Sequence, residues 1–190
     1  PTLPSHADSA LVRRLIKGAF LHDVGKIGVR DDVLLKPGRL DAQEFETMKT
    51  HVTHGLDIIA RSEWLQDASE VIGDHHEKYD GAGYHQGLRS EAIPLTARIF
   101  AVADVFDALT SERPYKKPMT VEESLAILRQ GAGKHFDPEL VDRFATMAGA
   151  LHARFANDYE AARDELARII ERYFKADLGV VLEEATAIRK

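Results

Sequence analysis

Two adjacent histidines, His75 and His76, are the residues of this chain whose types and spacing first suggest metal chemistry. They end a predicted helix and precede a loop that contains Gly81 and Gly83. Successive residues of a helix point about 100° apart, so the two imidazoles are predicted to reach two metal ions rather than to bind one ion from the same face. The alternative is that one histidine is a core residue with satisfied hydrogen bonds and the other is exposed. The pair alone leaves both alternatives open.

Three further positions carry candidate metal ligands. His22 and Asp23 are a second adjacent pair at the end of a predicted helix, and such neighbours can bind one ion and bind or bridge another. Asp104 lies in the middle of an apolar run, where a carboxylate is costly unless it is paired or coordinated. His51 begins another predicted helix. The alternative for Asp104 is that it caps or forms a salt bridge with a neighbouring helix, and the alternative for His51 is a simple helix-start position.

The composition limits the chemistry. The chain contains no cysteine, which excludes disulfides, zinc–thiolate sites and thiol nucleophiles and leaves His, Asp and Glu as metal ligands. These ligands suit iron, manganese, zinc or magnesium. The net charge of -6 argues against general binding of polymeric nucleic acid but permits a local pocket for a small anion. No apolar run approaches the roughly 20 residues of a membrane span, and the N-terminus lacks a signal-peptide pattern, so we expect a cytoplasmic protein.

An all-α fold is predicted, because apolar residues recur at helical spacing and strand signals are almost absent. The length of 190 residues allows one domain with a sizeable core and a short appendage. The helix starting at Asp41 is expected to be capped through Glu44. The predicted helices span residues 8–22, 41–50, 51–61, 67–76, 95–109, 121–130, 137–155, 158–174 and 178–188. The helix over 95–109 is apolar nearly all round and is expected to be central and buried.

An ordered series of short motifs runs from Leu11 to Phe144. The motifs are HDVGKIG at 22–28, LLKPGRL at 34–40, KTH at 49–51, HHE at 75–77, DGAGY at 80–84, ARI at 97–99, VADVFDAL at 102–109, RPY at 113–115 and FDP at 136–138. In this order they resemble the HD-GYP branch of the HD phosphohydrolase superfamily. The resemblance implies an all-α HD-domain helical bundle over residues 1–150, followed by a helical C-terminal extension over 151–190.

The resemblance also implies an activity, since the family hydrolyses the bacterial second messenger cyclic di-GMP with two or three divalent metal ions, often iron or manganese. The expected products are linear pGpG and GMP. The implied metal ligands are His22, Asp23, His51, His75, His76 and Asp104. The implied catalytic residues are Asp23 and Lys26, and the implied substrate contacts are Lys26, Tyr84, Arg113 and Lys116. Two nearby metal ions would activate a bridging water, and Lys26 would stabilise the negative transition state.

Two features depart from the family pattern. His85 replaces the proline of Gly-Tyr-Pro, so the loop that presents Tyr84 is predicted to be less stiff. We expect His85 to be exposed, and an accessory metal ligand or a contact to a base is the alternative. The family also supplies a further histidine from an earlier helix, for which the chain before His22 is too short. Either the chain, which begins at Pro1, comes from a longer or processed protein, or its metal centre is naturally reduced.

These departures leave alternative hypotheses beside the phosphodiesterase. One is a catalytically impaired module that binds cyclic dinucleotides or other proteins. Another is a hydrolase of a different cyclic dinucleotide or phosphoester. The family often follows a receiver or sensor domain, which we therefore expect upstream. The C-terminal extension is predicted to form a homodimer, packing back on the domain being the alternative. Its apolar stripe consists of Phe155, Tyr159, Ala162, Leu166, Ile169, Ile170, Tyr173 and Phe174.

Overall fold

The structure is a computed structural model and describes residues 9–112, 117–155 and 158–187. Its α-helices are α1 Ser9–Leu21, α2 Asp31–Leu34, α3 Ala42–Ile59, α4 Ser69–Asp74, α5 Leu95–Thr110, α6 Val121–Gly131, α7 Pro138–Ala145, α8 Ala148–Phe155 and α9 Tyr159–Ala187. Short 3-10 helices are Val24–Gly28, Glu63–Ala68 and Ser90–Ala92. No β-strand occurs in these ranges, so the predicted all-α fold is confirmed. None of the described helices is long and apolar enough to cross a membrane.

The chain divides into two compact units. One extends from Arg14 to Thr146 and contains helices α2 to α7. The other consists of the described residues before Arg14 and after Thr146. Within this second unit α8 packs against α9, and Arg154 forms an ion pair with Glu165 at 2.9 Å. The division into domains over 1–150 and 151–190, like the homodimer, stays a prediction.

Helix α3 is continuous, although the sequence pattern predicted two helices meeting between Thr50 and His51. It begins at the predicted capping box: the Asp41 side chain accepts a hydrogen bond from the Glu44 amide at 2.9 Å, and the Glu44 carboxylate accepts one from the Asp41 amide at 2.8 Å. No proline follows to interrupt the main-chain hydrogen bonds. His51 therefore lies in the interior of a long helix, where main-chain hydrogen bonds on both sides fix its backbone position.

Other boundaries also differ from the prediction. The segment Val24–Gly28, predicted as a loop, is a 3-10 helix. The predicted helix over 67–76 consists of the end of one 3-10 helix and the short α4, and that over 137–155 is divided into α7 and α8. At the latter break the Thr146 hydroxyl donates to the Arg143 carbonyl at 2.7 Å, which satisfies a helix end locally. The two predicted C-terminal helices are one helix, α9.

Helix α5 is central to the unit Arg14–Thr146, because it packs against α4, α6 and α7. Phe100, Val102 and Phe106 are buried on it, whereas Ala103 and Asp107 are exposed. The helix is therefore buried on one side rather than nearly all round. Between its buried and exposed sides, α5 therefore has half-buried positions at which a polar residue can face a site.

Polar contacts hold the helices around the core. Glu70 of α4 accepts a hydrogen bond from Arg14 of α1 at 2.8 Å and another from the Thr96 hydroxyl of α5 at 2.6 Å. The turn after α1 lies directly on α3, because a Cβ at Gly25 would be only 1.9 Å from the His51 carbonyl oxygen. This close approach brings the residues around Gly25 next to His51.

Candidate metal centre

Three histidines from separate segments are oriented in the same way. The Nδ1 atom of His22 is 2.8 Å from the Ala19 carbonyl oxygen, and that of His51 is 2.7 Å from the Met48 oxygen. His75 Nδ1 is 3.0 Å from the Val71 oxygen and 3.1 Å from the Ile72 oxygen. Because a carbonyl oxygen can only accept, each Nδ1 carries the proton and donates it. The Nε2 atoms of His51 and His75 are thereby left with a free lone pair, which is the state of a metal-binding imidazole, whereas His22 Nε2 faces the Asp23 carboxylate.

Two of these Nε2 atoms are buried without a hydrogen-bond partner. His51 is 1% exposed and His75 is 5% exposed, and neither Nε2 has a hydrogen-bond partner among the described residues. A buried polar atom without a partner costs free energy, so its presence here calls for a ligand. Candidate ligand nitrogens of His51, His75 and His76 lie within 4.8 Å of one another. The donor set and the unsatisfied nitrogens therefore fit a divalent metal ion.

The two adjacent histidines approach more closely than the helical argument predicted. Helix α4 ends at Asp74, and His75 is its C-cap. The rings of His75 and His76 are 4.0 Å apart between centroids and inclined by 40°. Their ligand atoms can therefore approach one ion, because the chain leaves the helix between Asp74 and the glycine-rich loop. The number of ions remains a prediction.

Asp23 lies between two of the histidines. One of its carboxylate oxygens is 3.2 Å from His22 Nε2, and the other is 3.7 Å from His51 Nε2. Lys26 donates to the oxygen on the His22 side at 2.6 Å. Burial alone would raise the pKa of Asp23, but the hydrogen bonds with His22 and Lys26 outweigh it and hold the pKa well below its usual range. The group is therefore a carboxylate that can bridge two positions.

The surroundings of His51, His75 and His76 favour the neutral form of their imidazole rings. Burial lowers the pKa of His75 to about 4 and that of His76 to about 3, with a further contribution from neighbouring histidines. Burial also lowers the pKa of His51. His22 differs: burial again acts to lower its pKa, but the hydrogen bonds to Asp23 and Ala19 and the nearby carboxylates raise it overall. Neutral imidazoles are the form that binds metals.

Asp104 lies on α5, close enough to His22 for its charge to act on that ring. It is half-buried, at the boundary between the buried and exposed sides of that helix. Its negative charge contributes to the raised pKa of His22. The structure thus brings together residues from the turn after α1, from α3 and from the end of α4, with the charge of Asp104 on α5 nearby.

Tyr84 is stacked on His76, with ring centroids 4.7 Å apart. Phe45 meets Tyr84 edge-on at 6.0 Å, and the Lys49 Nζ lies 5.5 Å from the centre of each of these two rings. Burial and the charge of Asp23 raise the pKa of Tyr84 to about 12, so its phenol stays protonated. Tyr84 is thus available beside the histidines as an aromatic surface and a hydrogen-bond donor.

The remaining predicted residues have different outcomes. Arg113 and Lys116 lie outside the described residues. His85 is exposed, as expected. The sequence interpretation assigned no role to Phe45, Lys49 or Glu77. The four-residue spacing of Phe45 and Lys49 indicated that they share a face of α3, but no sequence signal identified Tyr84 as their neighbour.

Comparison with known proteins identifies a family and several relatives. Residues 4–140 match the family described as HD domain. The chain is 48% identical over 136 residues to a probable cyclic di-GMP phosphodiesterase of Vibrio cholerae, an alignment that covers 67% of this chain and 31% of that protein. It is 50% identical over 133 residues to the cyclic di-GMP phosphodiesterase response regulator RpfG of Xanthomonas campestris, covering 69% and 35%.

A third relative is named for another substrate. The chain is 48% identical over 131 residues to 3'3'-cGAMP-specific phosphodiesterase 2 of Vibrio cholerae, which covers 67% of this chain and 25% of that protein. The alignments cover between a quarter and about two fifths of the length of the curated relatives that the chain matches.

Proposed function

The chain belongs to the HD domain family, as its motifs predicted, and from this membership we propose that it is a metal-dependent phosphodiesterase that hydrolyses cyclic di-GMP to linear pGpG and further to GMP. The observation that carries the proposal is the pair of buried, unpartnered Nε2 atoms of His51 and His75 beside the carboxylate of Asp23. The names of two relatives, cyclic di-GMP phosphodiesterases of two bacteria, support the same substrate.

The proposed metal ligands are the residues that converge on this centre. They are His22, Asp23, His51, His75, His76 and Asp104. A ligand set of imidazoles and carboxylates without thiolates is compatible with iron or manganese, which we propose as the bound metals, two or three ions in number. Bound divalent ions would lower the pKa of a coordinated water and neutralise charge on the phosphoryl oxygens.

The chain's own side chains would position the phosphate and the bases. Lys26 presents an ammonium beside Asp23, where it can hold the scissile phosphate and stabilise the negative charge that develops on it. Tyr84 offers a ring face for a guanine base and a phenol that donates rather than accepts a proton at neutral pH. The sequence adds Arg113 and Lys116 as further proposed substrate contacts.

A turnover assay tests this proposal. The protein is loaded with Fe²⁺ or Mn²⁺ under anaerobic conditions and incubated with cyclic di-GMP, and the nucleotides are separated by liquid chromatography. We expect linear pGpG to form with the unsubstituted protein and with Asp32→Ala, which removes an exposed aspartate of α2. Asp23→Ala should abolish turnover. The absence of both linear pGpG and GMP after incubation with the metal-loaded protein would refute the proposal.

The same assay compares two substrates. A relative of similar identity is named 3'3'-cGAMP-specific, which favours 3'3'-cGAMP as the second candidate substrate. We propose a preference for cyclic di-GMP, measured as the ratio of kcat/KM for the two compounds. A ratio below one would assign the chain to the second substrate while keeping the same metal chemistry.

Within a longer protein, we propose that this chain is the output of a receiver or sensor domain in the cytoplasm. A relative named as a response regulator supports this arrangement. The proposed homodimer through the C-terminal helices would bring two such outputs together. Sedimentation of the full-length protein, with and without Leu166→Glu in the apolar stripe, tests the dimer.

A further inference from the structure

Glu77 is a buried carboxylate without an assigned role. It is 2% exposed, although acidic side chains are rarely buried unless they are paired. One of its oxygens, Oε1, accepts hydrogen bonds from two consecutive main-chain amides, at 2.6 Å from Gln86 and at 2.8 Å from Gly87. Its other oxygen has no partner among the described residues. Glu77 is therefore directed at the backbone of the loop, and it forms no ion pair with the described residues.

The two amides belong to the loop that carries Tyr84. The loop begins after His76, beyond the end of α4, and returns to Glu77 at Gln86, so the bonds to Glu77 close a ring of about ten residues around Tyr84. Gln86 and Gly87 are both exposed, so the amides would otherwise be hydrated. A carboxylate that accepts two amides makes charge-assisted hydrogen bonds, which are stronger than those of a neutral acceptor.

The start of the loop is held by different contacts. The amides of Tyr79 and Asp80 donate to the carbonyl oxygens of His135 and Lys134, at 3.2 and 2.8 Å. Gly83 lies against the backbone, where a Cβ would be 2.3 Å from the Lys78 nitrogen. The Tyr84 amide itself donates to the His76 oxygen at 3.3 Å. After Tyr84 the bonds to Glu77 are the next main-chain anchor, because they hold Gln86 and Gly87.

We infer that Glu77 is a positioning residue that holds the far end of this loop and thereby keeps Tyr84 stacked on His76. In this chain the hydrogen bonds to Glu77 supply the stiffness that a proline at position 85 would give, since His85 does not fix its backbone φ as a proline ring would. The kinetic consequence rests on the proposed function, because it requires Tyr84 to contact the substrate. The structural consequence concerns only the loop.

The structural consequence is tested by amide hydrogen exchange of the full chain without substrate. In Glu77→Ala, peptides covering 80–92 should exchange at least about tenfold faster than in the unsubstituted protein, since two charge-assisted bonds are lost. Glu77→Gln keeps an oxygen acceptor in place and should restore part of the protection. Glu91→Ala removes an exposed carboxylate of the same loop and should leave exchange unchanged.

Two results of this experiment would overturn the inference. One is unchanged exchange over 80–92 in Glu77→Ala. The other is an increase spread equally over α4 and α5, which would make Glu77 a general stabilising residue. If Glu77→Ala does not fold, Glu77→Gln carries the test, with faster exchange confined to 80–92 as the supporting result and protection equal to the unsubstituted protein as the contrary one.

The kinetic arm uses cyclic di-GMP and the metal-loaded protein. Glu77→Ala should raise KM by about tenfold while kcat changes less, because substrate binding by Tyr84 is weakened and the metal ligands stay in place. Bound metal, measured by elemental analysis, should be unchanged. Loss of metal in Glu77→Ala would contradict a positioning role in the loop. Absence of turnover in the unsubstituted protein would refute the proposed function and leave the exchange result valid.

Discussion

Asp23 lies between two histidines of the candidate metal centre. Its oxygens face His22 on one side and His51 on the other, and Lys26 shares the first of these oxygens. Replacing Asp23 therefore removes a proposed ligand, a hydrogen-bond acceptor and the partner of a cation at once. Lys26 is the more specific target, because it is a proposed phosphate contact and not a proposed metal ligand.

Lys26→Met should lower kcat by about 10²–10³-fold, the usual effect of removing one donor that stabilises transition-state charge. The content of bound metal should stay the same, because no proposed ligand is lost. Single-turnover kinetics and elemental analysis measure the two quantities. Lys36→Met is the matched control, since Lys36 pairs with Glu44 near the start of α3. A Lys26 variant with reduced metal content would contradict a role limited to the phosphate.

His51 and His54 provide a matched pair on one helix. His51 directs an unpartnered Nε2 at the centre, whereas His54 packs against the backbone at Gly28. His51→Ala should weaken metal binding by at least about 100-fold, the upper range for loss of an outer-shell partner alone. His54→Ala should bind metal as the unsubstituted protein does. Isothermal titration calorimetry with Mn²⁺ measures the affinity of each variant. Equal affinities of the two variants would exclude His51 as a ligand.

At the scale of elements, a single residue joins α5 to the start of α7. One Asp137 oxygen accepts from the amides of Glu139 and Leu140, at 2.9 and 3.5 Å, and so caps α7. The other oxygen accepts from Arg98 of α5 at 2.6 Å, in a largely buried ion pair. Asp137 therefore holds the first turn of α5, the helix that carries Asp104, against the start of α7.

Asp137→Ala should destabilise the protein by about 3 kcal/mol, because it removes a cap and leaves a largely buried arginine without its counter-ion. Asp137→Asn retains the cap and should lose less. Arg143→Ala breaks an exposed pair on the same helix and should cost less than about 0.5 kcal/mol. Urea unfolding of the metal-free protein measures all three. A loss in Asp137→Asn equal to that in Asp137→Ala would attribute the whole effect to the charge.

The sequence predicted which segments are helical better than it predicted where each helix begins and ends. The cap at Asp41 was predicted because its signature is local, a carboxylate three residues before a glutamate. The continuity of α3 through His51 was missed, because nothing in the pattern distinguishes one long helix from two abutting ones. The role of Glu77 was missed for a different reason: its partners at 86 and 87 are backbone amides, which have no residue type to recognise.

At the scale of the whole molecule, binding of metal should be coupled to folding. The folded chain gathers nitrogens from distant segments, and the unfolded chain does not. At about 100 times the dissociation constant, Mn²⁺ should stabilise the protein by about 2.7 kcal/mol. For a chain of this length that corresponds to a rise in Tm of about 5–10 °C. Scanning calorimetry with and without Mn²⁺ measures it.

The same experiment contains its control. His75→Ala should lose most of the Mn²⁺-dependent rise in Tm, and His54→Ala should retain it, because only the first removes a buried unpartnered nitrogen of the centre. A rise of equal size in both variants would indicate that Mn²⁺ stabilises the protein from a different site.

The sequence by itself determined the all-α class, the absence of thiolate ligands and the ordered motifs that identify the family. These depend on residue type and on spacing along the chain, which are local properties. Only the tertiary structure decided which ligand atoms converge. His22, His51 and His75 lie in different elements, and they meet because Gly25 lets the turn after α1 rest on α3. The close approach of the His75 and His76 rings likewise follows from where α4 ends, which is set by packing and not by helical period.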